Sequence, residues 1–330
     1  MEEVTGSNPV PPTILFMSEN LPHPVIELLE TRRQQIEDDH VLGLVVEGGG
    51  LRGVLTAGML ISMEQNGYGP DIFDFVVGSS AGAFNAAYFL SGNVSEGATI
   101  YSEHSAQHGF IDLKAWLKLR ERRPIMDVSI HTNHLLEGVV PLDWENIIAS
   151  EKLHIAVSDP HEIGTRVLPP PSDKDELKRN LRATAHIPIL AGRPTLIDGL
   201  PYYDGSLTAP LPIEEAISLG ATHVLALSSR SLKKWRNKQT RIERLASRLY
   251  NLRYPGIDAA VSQGVETAIQ RVQYLIEARD NPEDIPFIYT VDAPENIQIR
   301  QFEADAAKLA DGVRLGKIAL ASCLPPASQR

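Results

Sequence analysis

From residue 41 onward the chain alternates short apolar runs with longer stretches whose apolar residues fall at helical spacing. Residues 41–47 read as a strand, and residues 51–65 as a helix with Leu51, Leu55, Met59 and Met63 on one stripe. Residues 73–77 read as a second strand and 80–91 as a second helix. Further strands are predicted at 153–157, 224–228 and 287–291, and further helices at 211–219, 265–278 and 301–316. Residues 166–174, with three consecutive prolines at 169–171, read as a surface loop into a helix capped near Ser172 or Asp173. Residues 195–203 read as a hairpin turned at Asp198-Gly199. Short strands alternating with longer helices predict the α/β class: a three-layer α/β/α sandwich around a mostly parallel sheet.

Residues 1–40 stand apart from this rhythm. They are dotted with proline, show a brief helical pattern at 25–37, and read as an arm or cap outside the main domain. Residues 41–229 carry the alternating core, and residues 230–330 complete the same domain. No internal repeat interrupts this plan.

Composition narrows the class. The 330 residues, 43% hydrophobic and 22% charged, suit a soluble globular protein. No run approaches the ~20 apolar residues that span a bilayer. The first residues lack the basic head and apolar body of a secretory signal. The single cysteine, Cys323, excludes an internal disulfide and a multi-cysteine metal site, so a reducing, cytoplasmic location is expected. A net charge of −11 argues against nucleic acid as a partner. Charge is uneven, however. Between Arg230 and Arg253 stand nine Lys or Arg residues and one acid, Glu243. Leu232, Trp235, Leu245 and Leu249 interleave with them, which makes the segment either a solvated face or a candidate for peripheral contact with anionic membranes. A shorter basic stretch at 114–123 reads the same way.

Candidate chemistry sits where strands hand over to helices. Gly78-Ser79-Ser80-Ala81-Gly82 follows the second strand and opens the second helix, placing Ser80 at the apex of a sharp turn. A serine hydroxyl is a poor nucleophile unless it is held exposed beside a base. Gly48-Gly49-Gly50-Leu51-Arg52-Gly53 follows the first strand, and backbone N–H groups at a helix start point at an anion. That anion is either an oxyanion of acyl transfer or a nucleotide pyrophosphate. Asp71 and Asp74 lie about twenty residues on, as the dinucleotide fingerprint requires. They precede or begin the second strand, though, whereas a ribose-binding acid should end it. For a base, Asp204 in Asp204-Gly205-Ser206 lies at the end of a strand, where functional groups of α/β sheets collect. Asp198 reads as turn chemistry. A Ser-Asp-His triad requires a histidine after the acid; only His223 follows, at the beginning of a strand.

Together and in this order, the glycine loop at 48–53, the Gly78–Gly82 turn and Asp204-Gly205-Ser206 resemble the patatin-like phospholipase family, in its bacterial type. Ala183-Thr184-Ala185-His186-Ile187-Pro188 is similar to the Ala-Ser-x-x-x-Pro stretch of that family, and residues 211–221 to the helix and strand that follow its Asp-Gly. The resemblance covers about residues 41–229 and, more loosely, the C-terminal helices. It implies a catalytic core that hydrolyses acyl esters of lipids through a Ser-Asp dyad without metal. Carried over, Ser80 is the nucleophile and Asp204 the proton acceptor. The amides of Gly49, Gly50 and Leu51 supply most of the oxyanion hole, and Gly48, Arg52 and Gly53 shape the loop. Gly78 and Gly82 form the nucleophile elbow. Two residues depart from the family pattern. Ser206 replaces the usual Gly or Ala, and His186 replaces a small or apolar residue, which leads one to expect a more polar acyl pocket beside it. A non-catalytic lipid-binding module and a nucleotide-binding enzyme are the alternatives; the oligomeric state is open.

Overall fold

Alternate residues of a strand face opposite sides of its sheet, and here that alternation sorts the core in two. The structure, a computed structural model, describes residues 22–104, 126–188, 190–235 and 257–325, together with Arg248 and Asn251. In chain order its main elements are α1 (Pro24–Arg33), β1 (Leu42–Val46), α2 (Gly53–Gln65), β2 (Phe75–Ser79), α3 (Ala81–Leu90), α4 (Val94–Thr99), α5 (Trp144–Ser150), β3 (Leu153–Asp159) and β4 (Gly164–Leu168). They continue with α6 (Lys174–Thr184), β5 (Thr195–Ile197), β6 (Leu200–Asp204), α7 (Ile213–Ser218), β7 (His223–Ser228), α8 (Ile257–Asp280), β8 (Phe287–Asp292) and α9 (Ala306–Ala321). Among the described residues the strands form one eight-stranded sheet, ordered β5-β6-β3-β2-β1-β7-β8, with β4 on the other edge of β3. The five strands from β3 to β8 in that order are parallel, whereas β4, β5 and β6 run antiparallel to their neighbours.

Leu44 and Val46 of β1, with Leu225 and Leu227 of β7, join a cluster that takes in α1, α2, α3, α6 and α9. Val45, Val224 and Ala226 face the other way, against Leu211, Ile213 and Ala216 around α7 and Leu275 of α8. Two faces, both covered, make three layers. Fully burying each such Val or Leu contributes about 1.5–3 kcal/mol.

Four sequence expectations need correction. Residues 24–33, expected in an arm outside the domain, are built into it: Val25 and Leu29 are fully buried in the main cluster. Residues 166–168, expected at the start of a loop, belong to β4, an edge strand whose Arg166 is exposed and whose apolar signal is correspondingly weak. The helix expected from residue 265 begins at Ile257. The one expected from 301 starts at Ala306, because Asp305 caps it by accepting from the amides of Ala307 and Lys308. That leaves residues 301–305 outside the helix, across the glycine loop. Most of the basic segment, residues 236–247 included, and all of 114–123 lie outside the described residues. Arg230, at its start, turns inward to Glu47 (2.8 Å) and lies over the Trp235 ring. No helix among the described residues is long and apolar enough to cross a membrane.

Candidate active site

Strand register brings the two predicted side chains together. Ser79 at the end of β2 lies opposite Ala156 of β3. Asp204 at the end of β6 lies opposite Val157, the next residue. Because β4 occupies the other edge of β3, β2 and β6 share one edge and approach from opposite directions. Their C-terminal ends therefore meet, and Ser80 Oγ donates to Asp204 Oδ2 at 2.6 Å.

Ser80 holds φ 51° and ψ −127°, a left-handed conformation that costs a non-glycine residue roughly 1–3 kcal/mol. The turn is compensated locally: the Ser80 carbonyl accepts from Ala83 N (2.9 Å), and its own amide donates to Thr184 Oγ1 (2.8 Å). Tightness also dictates small neighbours. A carbon added at Gly82 would lie 2.2 Å from the Val46 carbonyl, and one at Gly48 2.9 Å from Ser80 Cβ. Gly78 backs onto Ala83 in the same elbow.

Asp204 is 2% exposed. Its Oδ1 accepts from the Ser206 amide (2.8 Å), which leaves Oδ2 aimed at the serine. Burial raises the carboxyl to about 6, while the hydrogen bonds from Ser80 and Ser206 pull the other way. At neutral pH the group is thus mostly ionised yet unusually basic for an aspartate. Ser206 fits without disturbance, its Oγ 3.2 Å from Ser79 Oγ and lying beside Gly48, which has no side chain to meet it.

The glycine loop lies alongside. The Gly48 amide is used by the Pro210 carbonyl, and Leu51 N donates to the Gln301 carbonyl at 2.9 Å. The Leu51 amide, expected in the oxyanion hole, is therefore engaged by the C-terminal segment. Gly49 N and Gly50 N meet no acceptor among the described residues, and Gly50 has φ +57°. Arg52 folds back along Gly49. Glu47, fully buried just before the loop, accepts from Ser228 Oγ (2.7 Å), Ser229 N (2.5 Å) and Ser229 Oγ (3.0 Å) and so pins its start.

Ser80, Gly50 and Leu51 open onto a mainly apolar cavity of about 50 Å³, walled by Phe84, Tyr101, Ala185, Ile187 and Phe302, among others. Tyr101 is held by its hydroxyl on Asn85 Oδ1 (2.8 Å), and Asn85 Nδ2 donates to the Gly53 carbonyl (2.9 Å). Neither Tyr101 nor Asn85 carries a local motif; only the folded chain brings them to Gly53.

Other candidates lie elsewhere. Asp74 sits at the opposite end of the sheet, accepting from Leu42 N and Arg32, a structural role. His223 begins β7 at that same end, its ring against His40, so it is not a third partner of Ser80 and Asp204. Asp198 and Gly199, at φ 53° and 80°, make the hairpin turn. His186 does not make the pocket polar: Ala185 and Ile187 line it, while the buried His186 ring packs against Tyr203. Burial lowers that imidazole to about 4, so it is neutral at pH 7. Among the described residues no group of three or more His, Cys, Asp or Glu could hold a metal ion.

The chain is similar to known proteins. The family model for patatin-like phospholipase matches residues 44–217, more than half of the chain. The uncharacterized protein YjjU of Escherichia coli (strain K12) is 23% identical over 193 residues, 56% of this chain and 51% of that protein. The chain thus matches about half the length of that relative. The crystal structure of VipD from Legionella pneumophila is similar at TM-score 0.39 and 12% identity, over 87% of this chain and 67% of that one. With the family model spanning β1 through α7, glycine loop, elbow and Asp-Gly included, the chain belongs to the patatin-like phospholipase family.

Proposed function

We propose that the protein hydrolyses acyl esters of lipids through a Ser80–Asp204 dyad. The observation that carries this reading is the 2.6 Å hydrogen bond from a strained, buried serine to a carboxylate whose other oxygen is already occupied. As Ser80 Oγ attacks the ester carbonyl carbon, its proton passes to Asp204 Oδ2. The carbonyl oxygen becomes an oxyanion facing the Gly49 and Gly50 amides; preorganised donors of this kind are usually the largest catalytic contribution. The intermediate collapses when Asp204 returns the proton to the leaving alcohol, and the acyl group stays on Ser80. Water then attacks the acyl-enzyme, again giving its proton to Asp204, and the second intermediate collapses as Asp204 returns that proton to Ser80 Oγ, releasing the acid and restoring the serine hydroxyl. A carboxyl near 6 suits both halves, since it is ionised at rest and acidic enough to return the proton.

Labelling with a fluorophosphonate probe followed by peptide mapping tests the reading. Modification should fall on Ser80 and vanish in Ser80→Ala. Modification at Ser79, or none in protein of intact fold, overturns it.

A further inference from the structure

One hydroxyl, on a residue outside the dyad, touches the backbone of the nucleophile and of the central strand at once. Thr184, the last residue of α6, is fully buried. Its Oγ1 accepts from Ser80 N at 2.8 Å and donates to the Ala156 carbonyl at 2.6 Å. A hydroxyl can do both, having one donor and two acceptor sites. Ala156 faces Ser79 across the sheet and precedes Val157, which faces Asp204. Two residues beyond Thr184, the His186 carbonyl accepts from Asp204 N at 3.0 Å. The stretch 184–186 therefore holds the main chain of both members of the dyad, with α6 anchored beneath it by the fully buried Leu177, Leu181 and Ala183.

We propose that Thr184 is a positioning residue for catalysis: its hydroxyl fixes the strained Ser80 backbone against β3 and so sets the serine–carboxylate distance. The proposal rests on the serine hydrolase reading above. Physically, the Ser80 amide has no other acceptor among the described residues, so removing the hydroxyl strands a buried donor beside a strained residue. The elbow can then relax, and relaxation by a fraction of an ångström moves Oγ off the carboxylate. Thr184 touches neither Ser80 Oγ nor the cavity, so ground-state binding of substrate should not depend on it.

Thr184→Val keeps the shape and removes the hydroxyl; Thr184→Ser keeps the hydroxyl; Thr184→Cys offers only a weak acceptor. With a soluble p-nitrophenyl ester, Thr184→Val should lower kcat on the order of 10²-fold and leave KM within about twofold, because misplacement of reacting groups lowers kcat selectively. Serine should restore most of the loss, and activity per folded molecule should rank Thr and Ser above Cys, and Cys above Val. Hydrogen exchange read on the peptide spanning residues 76–84 supplies an arm independent of turnover. Protection there should fall in Thr184→Val and return in Thr184→Ser. A wild-type protein that neither turns over nor takes the fluorophosphonate overturns the hydrolase reading and this one with it. An active wild type with an equally active Thr184→Val, a loss confined to KM, or a loss serine does not restore overturns this inference alone. A valine variant too unstable to assay leaves the Ser and Cys variants to decide: equal kcat in both, or equal protection in both, overturns it.

Discussion

Ser79 and Asp204 lie opposite successive residues of β3, and that single offset is what carries the hydrogen bond between Ser80 and Asp204. Two strands that never pair with each other are registered by a third. The Ser80–Asp204 pair is thus only as well aligned as the sheet and the turns that leave it.

The first prediction separates stability from activity. Asp204 binds its proton more tightly folded than unfolded, near 6 against an ordinary 3.8. This group therefore favours the folded state fully only below pH 3.8, and that contribution is lost as pH rises through 6. At about 1.4 kcal/mol per pH unit the cost at neutrality is about 3 kcal/mol. Asp204→Asn should abolish turnover yet melt at or above the wild-type temperature at pH 7, with the advantage shrinking toward pH 4. Thermal melts at both pH values check this; a variant less stable at pH 7 refutes it.

The rate should carry the same ionisation. kcat/KM for a neutral ester should rise with pH as a single proton is lost near 6 and level off above pH 7. A histidine would ordinarily titrate there too, but burial lowers His186 and His223 to about 4. The limb should therefore persist in His186→Asn and His223→Ala. Its disappearance in either would assign it to the imidazole.

Gly50→Ala tests the anion-binding loop. An added methyl meets the Gln301 carbonyl at 2.7 Å and demands φ +57° of an alanine, so the loop must shift. Losing one oxyanion donor typically costs roughly 10²–10³ in kcat. A fall on that scale with near-normal KM is expected, whereas binding of NAD or ATP that the substitution removes would point to a nucleotide loop. Asp198→Asn, in the hairpin turn, should be silent in the same assay.

Acyl length gives a fourth outcome. The cavity beside Ser80, about 50 Å³, is about a third of one known to hold benzene. Butyrate esters should therefore outpace octanoate esters, and Phe302→Ala, which removes part of one wall, should raise the octanoate-to-butyrate ratio of kcat/KM. An unchanged ratio would mean that the acyl chain leaves by another side.

Strands β1, β2, β3, β7 and β8 are legible because each carries an apolar run, buried throughout in β1, β2 and β7; likewise the glycine loop, elbow and Asp204 are local motifs at strand ends. What escaped detection was either polar or non-local. β4 alternates weakly because it is an edge strand, and the helical stretch at 24–33 resembled an arm because its proline-dotted surroundings masked Val25 and Leu29. Thr184 lay inside a recognised stretch, but its role depends on an amide 104 positions away. The Gln301 carbonyl is a backbone atom, and no residue type announces where a carbonyl will point. The identity of His186 predicts a polar pocket, whereas its ring faces Tyr203 and its neighbours Ala185 and Ile187 line the cavity.

That carbonyl has a consequence for how the domain is to be delimited. The family match ends at residue 217, and every motif of the dyad and its loop lies within it or at its edge. Yet Gln301 holds the Leu51 amide and Phe302 walls the cavity, both delivered by the segment that leads into α9. A fragment trimmed to the matched region would keep Ser80, Asp204 and the glycines while losing one side of the cavity beside them. The smallest unit that encloses the cavity is therefore larger than the smallest unit that can be recognised.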